Sequence, residues 1–176
     1  MDGDSLPVSS FVKMANGQFE AGTSKLDKRN NSDMAPNYCS GNCLNCNLCS
    51  LVCPHGVIRP FLLNEKEVLD APESVTRNLV DANIKDQDLK FTIGVSLPDC
   101  TGCKLCVNVC PGKKGEKALK MVPIAEALEA KQEKHARYFF NNVSYKDFLV
   151  DKMANPKNSQ FAQPLFEFSG ACGGCG

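Results

Sequence analysis

One twelve-residue pattern occurs twice in this chain. Cys43-Leu44-Asn45-Cys46-Asn47-Leu48-Cys49-Ser50-Leu51-Val52-Cys53-Pro54 returns 57 positions later as Cys100-Thr101-Gly102-Cys103-Lys104-Leu105-Cys106-Val107-Asn108-Val109-Cys110-Pro111. Even the fillers agree: Leu48 and Leu105 precede the third cysteine, Val52 and Val109 the fourth. Two copies of one loop adopt like local geometry. The repeat therefore predicts two similar halves, each a strand, a cysteine loop, a short helix and a strand, related by a pseudo-twofold axis.

The chain holds 11 cysteines, an odd number, and nine lie in two tight groups at 39–53 and 100–110. A disulfide framework favours an even count, wider spacing and a secretion signal. Met1 to Ser10 contains neither Lys nor Arg and no long apolar stretch, so no signal of that kind is expected. The expected setting is reducing, with the cytoplasm as default and a hydrogenosome or similar organelle of an anaerobic eukaryote as the alternative. Formal net charge is zero, from 20 basic and 20 acidic residues, which leaves no basic footprint for nucleic acid. No apolar run approaches the ~20 residues that span a bilayer.

Soft thiolates suit iron–sulfur clusters and also zinc. Zinc sites take two separated C-x2-C pairs around one tetrahedral ion. Three cysteines at x2, x2 in one loop instead wrap three corners of a cubane. The fourth, followed by Pro, turns into the opposite half, the crossover of two-cluster ferredoxins. One [4Fe-4S] cluster is thus expected on Cys43, Cys46, Cys49 and Cys110, the other on Cys100, Cys103, Cys106 and Cys53. Pro54 and Pro111 fix the chain direction beside the fourth ligands. Gly56, Gly102 and Gly112 are expected to let backbone amides approach the sulfurs. Leu44, Leu48, Val52, Ile58, Leu105, Val107 and Val109 are candidates to exclude water. Cys39 reads as a buried, non-ligating thiol, His55 as a neighbour of the ligands or a surface residue, and His135 as packing.

The expected fold class is α+β: a bacterial two-[4Fe-4S] ferredoxin-like domain with a charged insertion, flanked by irregular linkers and one helix. Residues 1–32 read as a leading linker, 33–123 as the cluster domain, 124–158 as helix and linker, and 159–176 as the start of a further domain. Strands are expected at 57–63, at an edge because of Pro60, at 91–95 and at 118–122. Residues 64–90 read as an insertion outside the core whose carboxylates are solvated. Pro123 opens a helix through Phe140, with Ile124, Leu128, His135 and Phe139 near one face and Asn141-Asn142 at its end. Residues 151–160 read as linker.

Beyond the cysteines, the chain resembles pyruvate:ferredoxin (flavodoxin) oxidoreductases over nearly its whole length. The resemblance lies in Gly3-Asp4-Ser5-Leu6-Pro7-Val8-Ser9-Ser10-Phe11, in the run from Cys43 to Pro60, in Pro98-Asp99-Cys100-Thr101-Gly102-Cys103, and in Ser159 to Gly176. It implies oxidative decarboxylation of pyruvate with coenzyme A to acetyl-CoA, on thiamine diphosphate with Mg2+. Three [4Fe-4S] clusters then lead electrons to ferredoxin or flavodoxin in a homodimer. The eight crossed cysteines would hold the medial and distal clusters. Cys172 and Cys175 resemble two ligands of the proximal cluster at the start of the thiamine diphosphate domain.

Members of that family are several times longer, and nothing here matches their pyruvate-binding or coenzyme-A-binding domains. The expectation is a fragment that needs the rest of the oxidoreductase chain to turn over pyruvate, with Cys172 and Cys175 unligated. A free-standing ferredoxin-like carrier is the rival reading, although the insertion, the helix and the Phe161–Gly176 segment are superfluous to one. The ferredoxin portion of another 2-oxoacid oxidoreductase is a third.

Overall fold

The computed structural model describes residues 7–17, 28–84, 87–164 and 167–168. The leading segment contributes a 3-10 helix, Val8–Met14, with no buried residue. Strand β1 (Met34–Tyr38) pairs antiparallel with β5 (Leu119–Pro123). Strand β2 (Ile58–Leu63) pairs antiparallel with β4 (Lys90–Val95), which also carries the two-residue β3 (Val80–Asp81).

The sequence repeat accounts for this arrangement. β1 and the last five residues of β4 are 57 positions apart, the same offset as the cysteines. Each sheet joins a strand from one half to a strand from the other. Tyr38 sits opposite Leu119, and Val95 opposite Ile58, at corresponding places. The strands expected at 57–63, 91–95 and 118–122 are present within a residue or so, and the order β2-β4-β3 puts Pro60 on an edge strand, where its missing N–H is harmless. β1 is the strand that the repeat places before the first cysteine loop, without fixing its bounds. Its polar Asn37 and its Pro36 hide any alternation.

All six residues of β2 are buried, because both of its faces are covered. Ile58 and Leu62 join the main core with Phe91, Val95 and Leu119. Phe61 and Leu63 point the other way, into a second core with Val75, Phe139 and Val143. Gly94 is required there: a Cβ would stand 2.8 Å from the Phe61 ring and 3.2 Å from that of Phe139.

The helix expected from Pro123 through Phe140 is in fact two. Helix α5 covers Ile124–Glu129, and a second piece covers Gln132–Asn142. Lys131, at φ 59°, is left-handed and breaks the rod. The break turns the face: Ala127, Gln132, Ala136 and Phe139 are buried while Leu128 is 51% exposed. Helix ends at Asn142, as Asn141-Asn142 suggests.

In chain order the helices are α1 (Leu48–Leu51), α2 (Glu65–Leu69), α3 (Glu73–Thr76), α4 (Leu105–Val109), α5, α6 (Gln132–Asn142) and α7 (Pro156–Ser159). Residues 64–90 are not outside the core. Val75 is fully buried, Leu89 and Ala82 nearly so, and β3 extends the sheet. Nor are all its acids solvated. Glu67 accepts from the Asn64 N–H in a capping box and binds Lys146 Nζ at 2.6 and 2.8 Å. Residues 151–157 are exposed and α7 buries no side chain, and the chain enters the core only beyond them, at Phe161.

Candidate metal centre

The two cysteine loops fold alike. Asn45 and Asn47 in the first are left-handed, at φ 55° and 60°; Gly102 and Lys104 take the same places in the second, at 66° and 67°. The sharp turns that result aim backbone donors inward. The Asn45 N–H donates to Cys43 Sγ at 3.4 Å, and the Gly102 N–H to Cys100 Sγ at 3.5 Å. Of the glycines expected to admit amides, Gly102 does so. Asn45 is its unforeseen counterpart, held by Nδ2 donating to the Asp81 carbonyl at 3.1 Å.

Eight cysteines divide between two cavities. Cys43, Cys46, Cys49 and Cys110 line one, with Tyr38 and Leu119. Cys53, Cys100, Cys103 and Cys106 line the other, with His55 and Val95. Each cavity takes three cysteines from one loop and one from the other. Their sizes match, at about 350 and 390 Å³ counting the part open to solvent.

Burial pushes the Cys49 thiol far up, and Cys43, Cys106 and Cys46 add to the effect. Cys106 is pushed up to about 12, by burial first and then by Cys100, Cys53 and Cys103. Burial raises Cys43 and Cys100 too, offset in part by the N–H groups of Asn45 and Gly102. Four sulfurs crowded in one low-dielectric hollow resist ionisation unless iron charge offsets them, so a cationic group must displace the protons it replaces. Among the described residues no three His, Cys, Asp or Glu are close enough to hold one metal ion. The donor set fits a cubane with one iron per corner.

Residues 42–113 match the family described as the 4Fe-4S double cluster binding domain. Residues 1–32 match a family described as a domain of unknown function. The chain is 44% identical over 177 residues to the pyruvate:ferredoxin oxidoreductase of Moorella thermoacetica, covering 100% of this chain and 14% of that protein. It is 42% identical to the pyruvate-flavodoxin oxidoreductase of Nostoc sp., over 99% of this chain and 14% of the relative. With the mitochondrial pyruvate dehydrogenase [NADP(+)] of Euglena gracilis it shares 43% identity, over 99% and 9%. Along its whole length the chain is similar to one stretch of pyruvate:ferredoxin and pyruvate-flavodoxin oxidoreductases. It spans about one-seventh of the length of the first two oxidoreductases (14%).

Around the two cavities several expected roles change. Cys39 is exposed, not buried, because it follows β1 directly onto the Ser40–Asn42 turn. Leu44 and Leu105 line the first and second cavities while remaining 50% and 43% exposed, whereas Leu48 and Val109, 37% and 36% exposed, line neither. The cysteine-bearing sides of α1 and α4 face inward, with Leu105 beside them at the rim of the second cavity. Ile58 is buried as expected, with Val52 and Val107 half-buried. His55 lines the second cavity. His135 is half-buried, and burial followed by the Lys131 charge holds its pKa down, as suits a neutral packing residue. Cys172 and Cys175 lie outside the described residues.

Arg59 is the largest omission from the sequence reading. It is 3% exposed and donates to Ser50 Oγ at 2.9 Å, to the Gln160 carbonyl at 2.7 Å and to the Ala162 carbonyl. It clamps the 160–162 strand of chain to α1, beside Cys49. Asn47 adds a second clamp, from Nδ2 to the Lys157 carbonyl at 2.9 Å. No local signal marks these contacts, whose partners are about a hundred residues away in sequence.

Proposed function

We propose that residues 33–123 carry electrons through two [4Fe-4S] clusters within a pyruvate:ferredoxin oxidoreductase. One cluster sits on Cys43, Cys46, Cys49 and Cys110, the other on Cys53, Cys100, Cys103 and Cys106. The observation that carries this reading is the pair of like cavities, each ringed by four cysteines drawn from both loops. Each cluster supplies a site that takes up and releases one electron. The chain does the rest. Thiolates fix the two sites side by side through the α1–α4 contact, and inward amides of Asn45 and Gly102 stabilise charge on sulfur. Because each quartet draws on both halves, cluster insertion and folding of this module are linked.

In the whole oxidoreductase, electrons arrive from pyruvate oxidation on thiamine diphosphate with Mg2+ and coenzyme A, and leave to ferredoxin or flavodoxin. The resemblance of Cys172 and Cys175 to proximal-cluster ligands belongs to that larger assembly, a cytoplasmic homodimer, as do residues 159–176. Among the described residues no helix is long and apolar enough to cross a membrane. Anaerobic reconstitution tests the cluster assignment. Two cubanes predict about eight irons and eight sulfides per chain. Half that load, or bound zinc in its place, would overturn the reading.

A further inference from the structure

The two cavities are built by a repeat, so any difference between them stands out. Their backbone donors do not differ: the Asn45 and Gly102 N–H groups serve Cys43 and Cys100 at nearly equal distances. The strand residue beside each cavity does. Tyr38, at the end of β1, lines the cavity of Cys43, Cys46, Cys49 and Cys110. Fifty-seven positions on, at the end of β4, Val95 lines the other. The register repeats as well, with Tyr38 opposite Leu119 and Val95 opposite Ile58. One wall therefore presents a phenol where its twin presents two methyl groups.

The Tyr38 hydroxyl is buried and has no well-aligned partner among the described residues. A buried O–H left unmatched costs about 1–3 kcal/mol, so its position needs a reason. Cys43 supplies one. Tyr38 and Cys43 line the same cavity, and the buried hydroxyl finds no acceptor among the described residues. A phenol donates to an anionic sulfur far better than to a neutral thiol, because the acceptor then carries charge. A Cys43 sulfur held as a thiolate ligand would offer this hydroxyl the acceptor it otherwise lacks.

We propose that Tyr38 is a positioning and tuning residue: its O–H donates to the Cys43 thiolate and raises the reduction potential of that cluster alone. The inference rests on the cluster assignment proposed above. Reduction adds negative charge, part of which falls on the ligand sulfurs, and a donor aimed at sulfur stabilises the reduced state more than the oxidised one. Val95 offers no such donor. Thr101, His55 and Lys104 give the second cavity polar side chains of its own. The effect is therefore read as a change in one potential, not as an order of the two.

The test is a redox titration of the cluster-loaded 176-residue chain, followed by electron paramagnetic resonance, comparing wild type with Tyr38→Phe. The signal lost in Cys110→Ser marks the cluster of Cys43, Cys46 and Cys49. Iron and sulfide are counted first. A wild-type chain holding fewer than about eight of each would overturn the cluster reading, and this proposal with it. With eight present, Tyr38→Phe is expected to move the marked potential to a more negative value and leave the other in place. No movement, or equal movement of both, would overturn the tuning role while leaving the clusters intact. Should Tyr38→Phe fail to load, 3,5-difluorotyrosine at position 38 keeps the shape and strengthens the donor. It is expected to move the same potential upward, and an unmoved potential would overturn the proposal.

Discussion

The two ends of this molecule are held together by different means. At one end the cysteine loops carry only α1 and α4, of four and five residues, too short to persist as helices on their own. Their inward side chains are mostly cysteines, and their leucines keep between a third and a half of their surface exposed. At the other end, Phe61, Leu63, Val75, Phe139 and Val143 make a conventional apolar core. Phe61 stacks on Phe139 at 5.5 Å and meets Phe140 edge-on at 5.1 Å. One end packs around what its thiols bind; the other packs around aromatic rings. The same strand, β2, lies between them, so the comparison shows how a module whose centre depends on a cofactor is anchored to one that does not.

The strongest way to break that comparison is to remove a crossed cysteine. Cys110→Ser should abolish the cluster of Cys43, Cys46 and Cys49, halve the bound iron, and spare its neighbour. The aromatic end should stay folded. Visible absorbance and iron content report the first region, and near-ultraviolet dichroism of the phenylalanines and tyrosines the second. Loss of the Cys100 cluster instead would show that the ligands are not crossed. Collapse of both regions together would show that the aromatic end has no stability of its own.

The same division decides what is legible in the sequence. Cysteine spacing is a local pattern, and from it the loops, their short helices and the strands after them can be read. β2, β4 and β5 announce themselves by apolar runs. β1 does not, because Pro36 and Asn37 interrupt it, yet sliding β4 back along the repeat lands on it. Left-handed Lys131 turns one expected helix into two, and nothing in a charged exposed lysine marks that conformation. The long-range side-chain contacts of Arg59, Lys146 and Glu67 span 77 to 103 positions, so they exist only once the chain has folded. Residues 64–90 look like a solvated insertion for the same reason. Their composition is charged, while Val75 and Glu67 are read correctly only beside α6 and the 144–146 segment.

A second prediction tests the aromatic end directly. Phe139→Ala removes a buried ring, 3% exposed, that fills the space over Gly94 and Phe61. It should cost about 3–5 kcal/mol in that region. Hydrogen exchange should accelerate in α3, α6 and β2 while the iron content of the protein as purified stays the same. If iron is lost in proportion, the two ends are one cooperative unit and the comparison fails.

The smallest expected effect sharpens the boundary between the regions. Lys146 is 5% exposed, donates to both Glu67 oxygens and to the Leu62 carbonyl at 2.9 Å, and so ties α2 and β2 to the segment after α6. Desolvation raises the Glu67 pKa, but Lys146 and the N–H groups of Asn64 and Ser144 together outweigh it and hold the carboxyl below its usual range. A depressed carboxyl stabilises the fold above its unfolded pKa and loses that contribution as pH falls through the folded value. Glu67→Gln should therefore cost about 2 kcal/mol near neutrality, from a charged hydrogen-bonded group. The gap from wild type should hold steady between pH 8 and about 5 and close only below the ordinary glutamate range near ~4.3. Amide exchange in α2 and at 143–146 is the measurement, since it reads this corner whatever the clusters do. A gap that narrows already at pH 6 would mean that a group other than Glu67 controls the tie.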